Sequence, residues 1–347
     1  MKSIYAFAFF VSILCIGVFP VSSDGADTID FSIGKTPYRI SLAAEAGVLL
    51  GQVEEIVYAD SNTDTYLSQL LWDLKPLVYL GSGLSFSRAN PLDGLGGTAD
   101  LSVKFGLPIR SGTLENRDWQ NKADPDMVTD FSSHDLSIQG GEQVTMLLDF
   151  SGGISIPIKS AVALRALLSF SYMHFSWSGQ GGYGRYMARD PYSTRFFPEA
   201  EWRRRTFQGT VITYEQVWII PSPGLGVLWP VHRVLDLDFR FFMSPLIFVW
   251  DLDIHMERKL RFYDTMSGGL YLEPGVDISF TPNPFLTLLL HGSWRYSTGT
   301  RGKTIMTSTG STTIIGESYD TAGVGYSAFD VGLSLRVALP LGLLSKR

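Results

Sequence analysis

Asp251, Asp253 and His255 stand at alternate positions near the end of an alternating run, Leu235-Asp-Leu-Asp-Phe-Arg-Phe-Phe through Val249-Trp-Asp-Leu-Asp-Ile-His255. Side chains at i, i+2 and i+4 of a strand share one face. Two carboxylates and an imidazole therefore line one wall, while Phe248, Trp250, Leu252 and Ile254 occupy the other. A carboxylate beside an imidazole can hold its tautomer and stabilise the imidazolium formed when the ring takes a proton from water. The spacing points to hydrolysis by an activated water. A second alternating pair, Asn116 and Asp118, follows Gly106-Leu-Pro-Ile-Arg-Ser-Gly112, and both side chains point the same way if that strand continues to Trp119.

Such groups need a frame to hold them, and composition narrows its kind. The chain carries 35 Gly, 22 Phe, 15 Tyr and 8 Trp with only 18% charged residues, and its net charge of -6 offers no basic field for nucleic acid. Residues 1–23 combine one early lysine, an apolar run and small residues after it, the pattern of a secretory signal peptide. The lone cysteine, Cys15, falls inside that leader, so the mature chain can form neither a disulfide framework nor a thiolate zinc site. No cofactor or metal is called for. After the leader nothing reaches the ~18 continuous apolar residues of a spanning helix. The longest candidate, Val217 to Val231, is broken by Pro221, Pro223 and Pro230.

Period-2 rows recur instead. Val331, Leu333, Leu335, Val337 and Leu339 form one; Leu270, Leu272, Pro274, Val276, Ile278 and Phe280 form another. A third contains Leu286, Leu288, Leu290, Trp294 and Tyr296, with Thr287, His291, Ser293 and Arg295 opposite. Rows of this kind suit strands with lipid outside and a polar lumen inside. Tight connections at Pro91-Leu-Asp-Gly-Leu-Gly-Gly97, Pro157-Ile-Lys-Ser-Ala161, Pro230-Val-His-Arg-Val234 and Thr281-Pro-Asn-Pro-Phe285 carry turn residues. Long polar segments at 59–66, 111–133, 181–205, 257–262 and 297–319 alternate with them. The expected fold is all-β: residues 24–347 make one transmembrane antiparallel β-barrel of about ten strands in the outer membrane, with short periplasmic turns and long external loops.

Three local expectations follow. Outward parity is odd at Leu235, Leu237 and Phe239 but even at Phe248 and Trp250, which requires a β-bulge near Met243-Ser-Pro245. Trp72, Trp177, Trp218, Trp250 and Trp294 are expected in interfacial girdles. Gly94, Gly96 and Gly97 read as turn glycines, His134 as loop packing, His232 as solvated and His291 as a lumen hydrogen-bonding group. Arg203-Arg-Arg205 reads as a solvated basic run.

On this pattern the chain resembles the omptin family of outer-membrane aspartate-histidine proteases. Gly51-Gln-Val-Glu-Glu-Ile-Val-Tyr58 followed by Leu67-Ser-Gln-Leu-Leu-Trp72 is similar to the family's first hairpin. Asn116-Arg-Asp-Trp119 with Thr129-Asp130 and Ser133-His134 is similar to its second loop, and Asp251-Leu-Asp-Ile-His255 to its dyad strand. The resemblance implies a ten-stranded barrel with an active site at the external mouth. It assigns Asp253 and His255 as the dyad and Asp118 as one carboxylate of a facing pair. It gives Glu55 and Asp251 to an Arg or Lys side chain before the cut bond, and Asp130 to the following position. The implied activity is endopeptidase cleavage of peptides beside basic residues.

Two departures matter. Where the family pairs Asp118 with a second aspartate this chain has Asn116, whose amide can donate but can neither accept a proton nor bear charge. Where outward arginines would grip lipopolysaccharide phosphates it has His174 and Val217, so lipopolysaccharide dependence is not expected. Asn116 keeps a second reading open, a catalytically impaired omptin-like barrel serving as an adhesin. Ordinary lumen polarity competes with the catalytic reading of the 251/253/255 row, since barrel interiors carry ionisable residues routinely. A narrow channel is a further rival, against which a lumen filled by side chains would count.

Overall fold

A computed structural model describes residues 31–33, 36–121, 124–138, 144–158, 161–187 and 202–339. The signal-peptide reading of 1–23 and part of the 181–205 segment lie outside the described residues. Among the described residues seventeen strand segments form one antiparallel sheet, and they join into ten walls. In chain order these are Thr36–Tyr58; Tyr66–Arg88; Gly96–Gly106 continued by Arg110–Asp118; Asp130–Ile138 with Met146–Ile158; and Val162–Tyr186. Then come Thr210–His232; Leu235–Ser244 continued by Phe248–His255; Leu260–Ser267 with Leu270–Asn283; Leu286–Thr298 with Arg301–Ser308; and Ile314–Ala338. The tenth wall pairs with the first from Ala322↔Val57 down to Ala338↔Ser41, which closes the ring. Phe31–Ile33 and Arg203–Thr206 are short additions to the first and fifth walls.

The longest unbroken strands run 25 residues, about 80 Å at ~3.3 Å per residue, when about 10 tilted residues cross hydrocarbon. The lower parts of the walls carry the exposed apolar row, for example Leu164, Leu168, Phe170, Leu225, Phe239, Phe241, Leu288, Leu290, Val331 and Leu333. So much outward apolar surface has a stable place only against lipid. The upper parts stand in water, and this corrects the loop boundaries read from sequence. Residues 110–118 pair with 130–138, and 301–308 pair with 314–322, as hairpins. Only 119–129 and 309–313 connect them. With water on both faces these hairpins lose the apolar alternation by which a membrane strand is recognised, while their backbone ladder continues.

The parity slip is present. Gly224 pairs with Phe242 and Ile219 with Phe248, so one extra residue sits between Phe242 and Phe248. Met243 and Leu246 both point outward, Ser244 and Ile247 inward. Pro245 needs no ladder acceptor, and Ser244 Oγ takes the Leu246 N–H at 3.0 Å. The neighbouring walls break at the same level, at Gly268-Gly269 and Gly299, all with positive φ. A Cβ on Gly269 would lie 2.3 Å from Thr298 O, so only glycine fits there.

The tryptophans divide. Trp250 and Trp294 face outward, but Trp72, Trp177 and Trp218 are wholly buried in the lumen. Trp72 stacks on Tyr214 at 4.4 Å and Trp177 packs on Phe175 at 5.0 Å. Each buried tryptophan shares the inward parity of its strand, which a count of aromatics cannot reveal. Below this plug the lumen holds ion pairs, including Lys104–Asp330 at 2.7 Å and Arg295–Asp149 at 2.9 Å. His291 meets Asp277 at 2.6 Å among them, and His232 is exposed in its turn.

Candidate active site

The second and seventh walls lie opposite one another across the ring, and between them at the external mouth is a cleft of about 570 Å³. Asn116, Asp118 and Ser68 line one side; Asp253, His255 and Phe262 line the other; Glu55 lies at its floor. His255 Nε2 lies 2.7 Å from Asp253 Oδ2. A carboxylate only accepts, so Nε2 carries the proton and Nδ1 remains the basic nitrogen. The Phe262 ring, 5.4 Å away and edge-on, fixes the imidazole plane.

Across the cleft Ser68 Oγ donates to Asp118 Oδ1 at 2.6 Å and also contacts Asn116 Oδ1 at 3.3 Å. One hydroxyl has one proton, and the shorter contact takes it. The contact to Asn116 is then best made with the amide turned so that Nδ2 donates to Ser68. Ser68 stands between Asn116 and Asp118. Its signal was available, because Ser68 shares inward parity with Leu70 and Trp72 and pairs with Asp118.

Four carboxylates converge at the dyad and beneath it: Asp253 itself, with Glu55, Asp251 and Asp264, none more than 5% exposed. Asp264 escaped sequence analysis. It pairs with Asp251 across the turn at 256–259, a register that counting back from that turn would have given. The group stands above the lipid band. Outward Glu215 lies opposite Leu252, and the outward ion pair Lys303–Glu317 follows from Trp250 through Thr265. Burial, reinforced by the Asp253, Asp251 and Asp264 charges, raises the Glu55 carboxyl well above the usual range. Burial and then Asp264 do the same to Asp251. Asp264 is pushed up to about 7, chiefly by burial. Among the described residues each of the four leaves one oxygen without a hydrogen-bond partner. Asp251 is otherwise held by a buried chain: Tyr214 OH donates to its Oδ2 at 2.8 Å, Gln216 Nε2 to Tyr214 at 2.7 Å, and Trp218 Nε1 to Gln216 at 2.6 Å.

Two expected site residues sit off the cleft lining. Asp251 lies one inward step deeper than Asp253. Asp130 lines neither this cleft nor its neighbour; it pairs with Asp118 in the ladder, and Thr129 Oγ1 lies 3.5 Å from its Oδ2. His134 packs as expected, with Nδ1 2.7 Å from Gly181 O and its ring 5.0 Å from Phe207; burial lowers its pKa. The described residues contain no group of three or more His, Asp or Glu placed to hold a metal ion.

A family model described as the omptin family matches residues 36–339. The chain belongs to the omptin family. It is 22% identical over 323 residues to the outer membrane protease IcsP of Shigella flexneri, covering 92% of this chain and 96% of that one. To the outer membrane protease OmpP of Escherichia coli it is 23% identical over 293 residues, covering 82% and 84%. The crystal structure of the outer membrane protease OmpT from Escherichia coli superposes with a TM-score of 0.71 at 19% identity, covering 91% of this chain and all of that one. As an omptin the chain is an outer-membrane β-barrel from a family of outer-membrane proteases.

Proposed function

We propose that this omptin is an endopeptidase that cuts peptides beside Arg or Lys with a water activated by His255 and Asp253. The observation that carries the reading is the 2.7 Å bond between His255 and Asp253 at a cleft whose other side is Asp118. His255 Nδ1 takes a proton from water, and the hydroxide attacks the scissile carbonyl carbon. Asp253 stabilises the imidazolium that results. The tetrahedral intermediate then expels the amine, which receives the proton from His255. Asp118, oriented by Ser68 with Asn116 behind it, holds the water while it is still neutral.

Specificity follows from the carboxylates below. Buried, unpaired acids favour either a proton or a cation. A Lys or Arg side chain passing Glu55 reaches Asp251, which lies two residues, about 7 Å, below Asp253 on its strand. Aromatic rings beneath exclude water and strengthen that attraction. Outer-membrane lipid surrounds the barrel, and no lipopolysaccharide requirement is part of the proposal: His174 and Val217 pair with each other and present no arginine.

Asn116 favours the second reading, a barrel that binds surfaces without cutting them. Incubating refolded protein with a quenched peptide containing Arg-Arg, beside His255→Ala, separates the two. Cleavage abolished by the substitution supports the protease. Intact peptide at every pH from acid to alkaline, with lipid present, would leave the adhesin.

A further inference from the structure

On the far side of His255 from Glu55 the groove opens into a second cavity of about 260 Å³, and its charge is reversed. His255 and Asn116 line both cavities, so the two are continuous across the dyad. Arg205 and Arg258 supply the second cavity's cations. Glu257 is the one carboxylate in its lining, and it is taken: its Oε2 lies 2.7 Å from Arg205, whose guanidinium also lies 5.0 Å above the Phe207 ring. Arg258 lies on the 256–259 turn at the border of the two cavities. Among the described residues no carboxylate lies within ion-pair distance of it. A peptide crossing His255 therefore passes from a carboxylate-lined floor to an arginine-lined one.

We propose that the second cavity is the subsite for residues following the cut bond and that it selects an acidic side chain, Asp or Glu, through Arg258. This rests on the proteolytic reading above. The preferred substrate would then carry a basic residue before the bond and an acidic one just after it. Arg205 is less suited to the role because Glu257 already neutralises it. The neutral lining groups, Ser132 and Tyr186, offer hydroxyls that can complete the carboxylate's hydrogen bonds.

The test uses quenched peptides that differ at one residue. Glu, Gln or Lys is placed first or second after a single Arg–Xaa bond, and control peptides carry the same residues before the arginine. Refolded full barrel is compared with Arg258→Glu and Arg258→Gln, reading the ratio of kcat/KM for Glu over Lys peptides within each protein. An exposed, screened pair supports a ratio of about fivefold in the unmodified protein. That ratio should fall to about one in Arg258→Gln and invert in Arg258→Glu. The control peptides should keep one ratio across all three proteins. Cleavage with no Glu/Lys difference after the bond, or a ratio unmoved in Arg258→Glu, overturns the subsite and leaves the protease standing. Failure to cut any peptide overturns the proteolytic reading and takes the subsite with it.

Discussion

Replacing Asp253 with asparagine tests the dyad while keeping its shape. The amide can still accept the His255 Nε2 proton through Oδ1, so the 2.7 Å contact and the ring orientation can both persist. What disappears is a full negative charge beside the imidazolium. Asp253 is 2% exposed, above an aromatic plug. Two unit charges about 4 Å apart at an effective dielectric of ~20 attract by about 4 kcal/mol. Since the imidazolium exists only once the proton has moved, that attraction acts on the barrier, and about 4 kcal/mol corresponds to roughly a thousandfold in rate. The asparagine dipole recovers part of it, so the expected loss in kcat is between about a hundredfold and a thousandfold. The assay is hydrolysis of an Arg-containing quenched peptide, with heat-modifiable gel mobility confirming that the barrel is folded and His255→Ala giving the baseline. A folded Asp253→Asn barrel retaining more than about a tenth of the kcat would refute the argument, because so small a loss is under ~1.4 kcal/mol.

Three further outcomes are expected. Ser68→Ala removes the hydroxyl 2.6 Å from Asp118; a bond to a charged group contributes about 1.5–3 kcal/mol, so kcat/KM should drop at least about tenfold. An unchanged value would show that Ser68 does not position Asp118. Tyr214→Phe removes the 2.8 Å donor to Asp251 beneath the cleft, so KM for Arg peptides should change more than kcat; equal effects on both would argue against a purely positioning role. Asp264 carries its proton up to about pH 7 in the folded barrel but releases it near 4 when unfolded. Between those values the folded state binds more protons, so stability declines as pH rises through that window and levels off above it. The advantage of Asp264→Asn over the native barrel in thermal unfolding should accordingly grow from pH 4 to 7 and then stay constant. A pH-independent difference would contradict the raised carboxyl.

Much of this molecule is legible as a linear pattern. Inward–outward alternation fixes the barrel class and places Asp251, Asp253 and His255 on one wall, because a strand's period of two leaves no other choice. The same bookkeeping of parity located the bulge at Ser244-Pro245, since one surplus residue must reverse every side chain beyond it. Where water bathes both faces the alternation fades, which is why the hairpins of 110–138 and 301–322 read as loops. Ring closure is a different kind of fact. Only the closing of the ring sets Asp118 across the cleft from Asp253 and His255, stacks Trp72 near Trp177 as a floor, and moves Asp130 off the cleft. Those partners lie more than about 100 residues apart, and the second cavity keeps a positive sign because its one lining carboxylate, Glu257, pairs with Arg205 and leaves Arg258. Local sequence determines which face a side chain takes; what it meets there is decided by the closing of the sheet.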